Sequence, residues 1–205
     1  MAESPHADHV FLEISVKTIH FNNPLAIYED VTEEIVKIGR LLIKLAWKET
    51  PITCENFYRI IEGTYGSKLF PSRKLTYKDT MFFNVQKGFF IQGGDVIRND
   101  GTGGETIFGP RIGEESYCLK FEKPYRVAMA GNGRHSVNSQ FLITLKEAPV
   151  LDNYHCIFGD VVDGFHVLNE IERLISNGLR EFQYLYISDC GPNYEGKVHS
   201  LKNTH

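Results

Sequence analysis

Several side chains in this sequence are of types that do chemistry, and their spacing decides which chemistry is within reach. Ser136 and Ser139 follow His135, but neither serine sits in a G-x-S-x-G elbow and no acid is placed to orient a base, so nucleophilic catalysis finds no support. Gly101-Thr102-Gly103-Gly104 has the glycine density of a phosphate cradle. It lacks the Gly-Lys-Ser/Thr ending of a P-loop and does not sit between a strand and a helix, so it reads as a groove loop. His135 and His155 have no partner at ligand spacing, and Cys54, Cys118, Cys156 and Cys190 form no C-x-x-C pair, so neither a metal nor a cofactor is expected. The scattered cysteines suit free thiols in a reducing compartment.

The elements that must position these residues can be read from periodicity. Val10 to Val16 alternates as a strand, and Ile38 to Trp47 contains another, with Ile43, Leu45 and Trp47 on one face and Lys44 and Lys48 on the other. Between them, Lys17–Lys37 is longer than a hairpin loop needs. Asp30-Val31-Thr32-Glu33 has the form of a capping box, which predicts a short helix there; the competing reading is a loop insertion. Thr50-Pro51 opens a helix with Cys54, Phe57, Ile60 and Ile61 at helical spacing and Gly63 at its end. A second helix is predicted from Phe165 to Leu174, with Leu168, Ile171, Leu174 and Ile175 as its buried stripe. Strands are predicted near Thr80–Val85, Phe89–Gln92, Arg126–Ala130, Gln140–Leu145, Cys156–Val161 and Gln183–Ser188. Many short strands with two isolated helices predict a mainly β fold, a closed eight-stranded antiparallel barrel capped by two α-helices.

The chain has 205 residues, 42% hydrophobic, with 14 Phe and 10 Tyr against 1 Trp and a net charge of −4. One domain of this size buries a core without staples. The acidic balance argues against a nucleic-acid partner. No apolar run spans a membrane and Met1–His9 lacks an apolar signal region, so a cytoplasmic location is expected. The domain is expected at 10–191, after an N-terminal extension at 1–9 and before a polar, disordered tail at 192–205.

Gly88-Phe89-Phe90-Ile91-Gln92-Gly93-Gly94-Asp95, Gly101-Thr102-Gly103-Gly104-Glu105, Ala128-Met129-Ala130, Asn138-Ser139-Gln140-Phe141-Leu142-Ile143-Thr144, and Leu151-Asp152 ahead of Phe158-Gly159-Asp160-Val161-Val162-Asp163-Gly164 follow one another along the chain. Together they resemble the cyclophilin family of peptidyl-prolyl isomerases, over about Val10 to Gly191. The Gly133–Ser136 stretch is closer to the divergent isomerase-like members. The resemblance implies a groove for a proline-containing segment. It implies that Phe89, Phe90, Leu142 and Leu151 line the proline slot, and that Gln92 holds the substrate backbone. Ala130 and Gln140 fall in the neighbouring groove, Gly131 supplies backbone for pairing with the peptide, and His155 is a pocket histidine.

The implied reaction is rotation about an X–Pro amide, whose resonance barrier is about 18–20 kcal/mol. A donor aimed at the prolyl nitrogen acts on the twisted state alone, so it is the group that accelerates. In cyclophilins it is the arginine of a Phe-His-Arg stretch. Here the matching residues are Phe82-Phe83-Asn84, and a carboxamide stands where the guanidinium is usual. Charge-assisted hydrogen bonds are roughly twice as strong as neutral ones, and losing such a donor costs about 10²–10³ in rate. Arg134 and Arg98 are the candidates to compensate. Val150 replaces a tryptophan that contacts cyclosporin in many members, so cyclosporin binding is expected to be weak or absent.

Two functions stay open on the sequence. One is an isomerase of residual activity acting on X–Pro bonds, with Asn84, Gln92 and His155 at the catalytic positions. The other is a non-catalytic proline-binding or scaffold module in a larger assembly, cytoskeletal or axonemal in placement.

Overall fold

The computed structural model describes residues 6–21, 31–131, 136–176 and 183–195. Their elements are, in order, β1 (His9–Phe21), β2 (Val31–Leu45), α1 (Pro51–Glu62), β3 (Phe82–Gln86), β4 (Phe90–Gly93), β5 (Arg126–Met129), β6 (Phe141–Thr144), β7 (Ile157–Asp163), α2 (Phe165–Ser176) and β8 (Gln183–Asn193). The strands form one eight-stranded sheet in the order β3-β4-β6-β5-β7-β2-β1-β8, antiparallel throughout. The sheet curls until its edges approach. An antiparallel bridge between Met81 and Tyr186 links them, with Asp79 N donating to Ile187 O at 2.7 Å and Ile187 N to Thr80 O at 2.9 Å. The mainly β architecture with two helices is the predicted one; the edges meet through this bridge rather than a continuous ladder.

Alternation places Val10, Leu12 and Ile14 of β1 fully inside while Phe11 and Glu13 stay half-buried. β5 and β6 are buried on both faces. One face joins the main core with Val127, Met129, Phe141 and Ile143. On the other, Ala128 and Leu142 join Ala130, Phe121, Ala148 and Ile157 in a smaller apolar cluster that Phe89, Phe90 and Leu151 partly cover. That second cluster underlies the candidate site.

Helix α1 packs its buried face on the core of the curled sheet. Phe57 packs its ring on Phe158, Tyr77 and Phe141, with centroids 4.7, 4.8 and 5.3 Å away. Thr50 does not cap it as the sequence predicts: its hydroxyl donates to Ala46 O at 3.2 Å. The first-turn helix donors go instead to a carboxylate from elsewhere in the chain, Ile52 N and Thr53 N to Glu115 at 2.9 and 2.7 Å, with the Thr53 hydroxyl donating to it at 2.8 Å. Helix α2 buries Val167, Leu168 and Ile171, with Leu174 and Ile175 packed on the core. It lies so close to β2 that a Cβ on Gly39 would come within 2.8 Å of Val167 Cγ2.

Two sequence expectations are corrected. Val31, Thr32 and Glu33 start no helix; they begin β2, paired residue by residue with β1 out to Phe21 opposite Val31. β-branched Val31, Thr32, Ile35 and Val36 suit the pleat; Glu33 of the supposed capping box pairs across the strands with Lys17 at 2.9 Å, and its neighbour Glu34 with His20 at 3.3 Å. Asp30 lies outside the described residues. The tail also begins later than expected, because Pro192 and Asn193 extend β8 opposite Val10 and His9; residues 196–205 lie outside the described part. Among the described residues no helix is long and apolar enough to cross a membrane.

Candidate functional site

A groove of about 420 Å³ opens over β4, β6 and the end of β5. Its walls hold, of the candidate peptide-binding residues named from the sequence, Phe90, Gln92, Ala130, Gly131, Gln140, Leu142, Leu151 and His155. The ladder explains how residues distant in sequence meet: Gln92 pairs with Leu142 across β4–β6, and Leu142 with Ala128 across β6–β5. Phe89 is not in the wall. It stands behind Phe90, edge-on at 5.0 Å between centroids, under the Lys146 ammonium. Asn84 and Val150 are not in the wall either; Val150 is 70% exposed on a 3-10 turn, Pro149–Leu151.

A line of carboxamides runs from β3 across the groove floor. Gln86 Nε2 donates to Asn84 Oδ1 at 2.9 Å, Asn84 Nδ2 to Gln92 Oε1 at 3.0 Å, and Gln92 Nε2 to Gln140 Oε1 at 3.1 Å. Gln140 Nε2 then donates to the carbonyls of Gly101 and Gly103 at 2.9 and 2.8 Å. Each amide's position thus depends on its neighbour's. The glycine loop at the far end is itself held by Asp95, which has no exposure to solvent. Its Oδ1 accepts from Ile97 N and Arg98 N at 3.1 and 2.9 Å, and its Oδ2 from Gly101 N and Gly103 N at 3.0 and 2.9 Å. Burial alone would raise the Asp95 pKa; these backbone donors overcome it and hold the carboxyl below its ordinary value. Gly101 is needed here on two counts: its φ is +90°, and a Cβ would come within 2.6 Å of the Phe83 ring.

The family model for cyclophilin-type peptidyl-prolyl cis-trans isomerase/CLD matches residues 30–191. This chain belongs to that family. Among the relatives of this cyclophilin domain is the human NK-tumor recognition protein, 39% identical over 75% of the chain and 11% of the relative. Another is the mouse protein named "Probable inactive peptidyl-prolyl cis-trans isomerase-like 6", 36% identical over 82% of the chain and 53% of the relative. A third is peptidyl-prolyl cis-trans isomerase 9 of Caenorhabditis elegans, 36% identical over 80% of the chain and 54% of the relative. The chain therefore spans about half the length, or less, of these curated relatives.

At the apolar end of the cyclophilin groove, His155 places Nδ1 3.1 Å from Met129 O. A carbonyl only accepts, so Nδ1 carries the proton and Nε2 is left as an acceptor on the neutral ring. Burial lowers the His155 pKa, against the pull of the Met129 carbonyl, and so favours the neutral ring. At the opposite end the wall includes Thr102, in the glycine stretch that the sequence marked as a groove loop, together with Ser136, Asn138 and Arg111, to which the sequence gave no site role. Arg111 has no sequence signal: it follows a Gly-Pro turn in a loop that only the folded barrel brings to the groove. Arg98 donates to Thr102 Oγ1 at 3.4 Å and is not in this wall; Arg134 lies outside the described residues, as does His135. Among the described residues no cluster of His, Cys, Asp or Glu is fit to hold a metal.

Glu114 lies behind the wall. Its Oε2 accepts from Cys156 N at 3.1 Å, while Oε1 is buried without a partner, and a Cβ on Gly131 would sit 3.4 Å from it. Burial raises its pKa to about 7, despite the Cys156 N–H. A carboxyl whose folded pKa lies above its unfolded value holds its proton better when folded. Stability from this group is full below pH 4.5 and declines as pH rises toward 7. Glu114→Gln is therefore expected to gain about 2 kcal/mol on the parent between pH 5 and pH 8, read from urea unfolding at both pH values. An unchanged difference between the two would show that the carboxyl is solvated in solution.

Proposed function

We propose that this cyclophilin domain binds X–Pro peptide segments in the groove of Gln92, Leu142 and His155 and turns them over weakly or not at all. One observation carries the reading: the position of the family's arginine is Asn84, a neutral amide that gives one of its two Nδ2 N–H groups to Gln92. The twisted prolyl nitrogen needs a strong donor, and a carboxamide bound to its neighbour is a poor one. The groove's apolar end, formed by Phe90, Leu142 and Leu151, suits a proline ring independently of that donor, so affinity and turnover separate. The guanidinium that does line the groove, Arg111, also borders the adjoining concavity with Arg98 and Phe70, which puts it at the end away from the apolar slot.

Two measurements test this. Addition of an Ala-Pro peptide is expected to shift the amide resonances of Gln92, Leu142 and His155, while coupled turnover of the same peptide stays close to the uncatalysed rate. Cyclosporin is expected to bind orders of magnitude more weakly than nanomolar, because Val150 offers no indole N–H and points to solvent. Family-like turnover that disappears in Arg111→Ala would make Arg111 the donor and end the reading of Asn84.

A further inference from the structure

A second concavity, of about 260 Å³, adjoins the groove and shares Thr102, Gly103, Arg111 and Asn138 with it. Its outer wall comes from the loop between α1 and β3, which holds Leu69 and Phe70 out at 49% and 50% exposure. This loop is built, not slack. Glu105, fully buried, accepts from Ser67 Oγ at 2.5 Å, from Lys68 N at 2.7 Å and from Leu69 N at 3.3 Å. Ser67 Oγ accepts from Phe70 N at 2.8 Å, and Ser67 N donates to Arg73 O at 2.8 Å. A buried carboxylate is thus committed to a turn whose result is the display of two adjacent large apolar side chains. The turn sets both side chains on the rim of one concavity, beside Arg98 and Arg111.

The charges around this shelf are as uneven as its polarity. Arg40, Arg59, Arg126 and Arg173 each sit against a carboxylate. The other described arginines, Arg73, Arg98 and Arg111, form no such pair, and all three border the shelf. Arg98 and Arg111 line it, and Arg73 lies over the Phe70 ring at 5.8 Å and donates to Ile97 O. Lys68 is turned to Phe108 O at 2.8 Å. Facing them, Asp95 and Glu105 are buried and bound to backbone N–H groups. The exposed carboxylate near by, Asp100, accepts from Thr102 and lies within the field of Arg98. A protein of net charge −4 thus gathers the unpaired guanidinium groups of its described residues on one apolar ledge at the end of its peptide groove.

Resting on the groove reading above, we propose that this ledge is a second subsite for the same peptide, taking an acidic residue beside a large apolar one a few positions from the proline. Arg111, shared by both concavities, and Arg98 would grip the carboxylate as a fork, and Leu69 and Phe70 would receive the apolar side chain. The domain would then choose its proline segments by their acidic-apolar flank.

The test uses two fluorescein-labelled peptides, one with an alanine-rich Ala-Pro sequence and one with a Glu-Leu pair placed stepwise on either side of the proline. The best-placed Glu-Leu peptide is expected to bind about tenfold more tightly. That advantage should fall with added salt and vanish in Arg98→Ala and in Phe70→Ser, while the alanine-rich peptide binds both variants as it binds the parent. Equal affinity for the two peptides, or a preference that survives both substitutions, overturns the subsite and leaves the groove standing. If neither peptide shifts the Gln92, Leu142 and His155 resonances, the groove reading fails and takes the subsite with it.

Discussion

Replacing Asn84 with arginine is expected to raise kcat/KM for an Ala-Pro peptide by about 10²–10³, the effect of supplying one preorganised donor to a transition state. KM should move far less, because the donor meets a lone pair that exists only when the amide is twisted. The neighbourhood favours the substitution. Asn84 is half-buried on β3 opposite Gln92 of β4, and its partners, Gln86 and Gln92, are neutral. A guanidinium can still donate to Gln92 Oε1 and extend past it toward the groove. A single-turnover or coupled assay on parent and variant reads the change. Comparable rates in the two would mean that position 84 does not govern catalysis in this domain, and Arg111→Ala would then be the decisive variant.

This expectation depends on Gln92 and Gln140 staying where the loop carbonyls put them. Gln140 donates to Gly101 O and Gly103 O, and Gln92 donates to Gln140. The floor's amides therefore run in one sense, each fixed as donor to the next. A rate gain in Asn84→Arg accompanied by lost peptide binding would indicate that the arginine had broken this order rather than completed it.

How much of this was legible in the sequence varies from element to element, for physical reasons. Both helices follow from periodicity because each buries one stripe, and the strands from Phe82 onward follow from short apolar runs between glycine-rich loops, β5 and β6 being buried on both faces. The outer part of the β1–β2 hairpin, Lys17 to Phe21 and Val31 to Lys37, did not. Beyond Gly39 its strand faces are Glu33, Glu34 and Lys37 beside exposed Val31, Ile35 and Val36, so alternation carries no burial signal, and a capping-box spelling outweighed it. The groove's apolar side, from Phe90 to His155, was reachable because its residues lie in contiguous motifs. Arg111 and the Leu69–Phe70 ledge were not, since a loop cation and two loop hydrophobics look like ordinary surface until the barrel sets them against Thr102 and Asn138. Glu115 escaped for the same reason: a helix can be capped by a carboxylate from far along the chain, and Thr50 satisfied the local pattern without doing the job.

Asp95 shows the gap most sharply, and its substitution should have the largest effect on the fold near the site. Within its motif it reads only as an acidic residue after two glycines. In the structure its carboxylate collects the N–H groups of Ile97, Arg98, Gly101 and Gly103 without contact with solvent. Asp95→Asn keeps the shape but turns one oxygen into a donor facing donors. The expected loss is about 2–4 kcal/mol, since hydrogen bonds to a charged group contribute about 1.5–3 kcal/mol and a stranded buried donor costs about 1–3 kcal/mol, or roughly 10 °C in Tm for a chain of this size. The carboxyl's folded pKa lies below its unfolded one, so its stabilisation is present above the unfolded value near 3.8 and is lost as pH falls through the folded value. The parent's stability advantage over Asp95→Asn should therefore shrink only in strong acid. Amide exchange should quicken first at Gly101 and Gly103, whose carbonyls hold Gln140, and peptide affinity should fall with it even at temperatures where the variant remains folded. A variant with faster exchange at those glycines but unaltered peptide affinity would separate the loop from the groove and show that the carboxamide line holds its place without it.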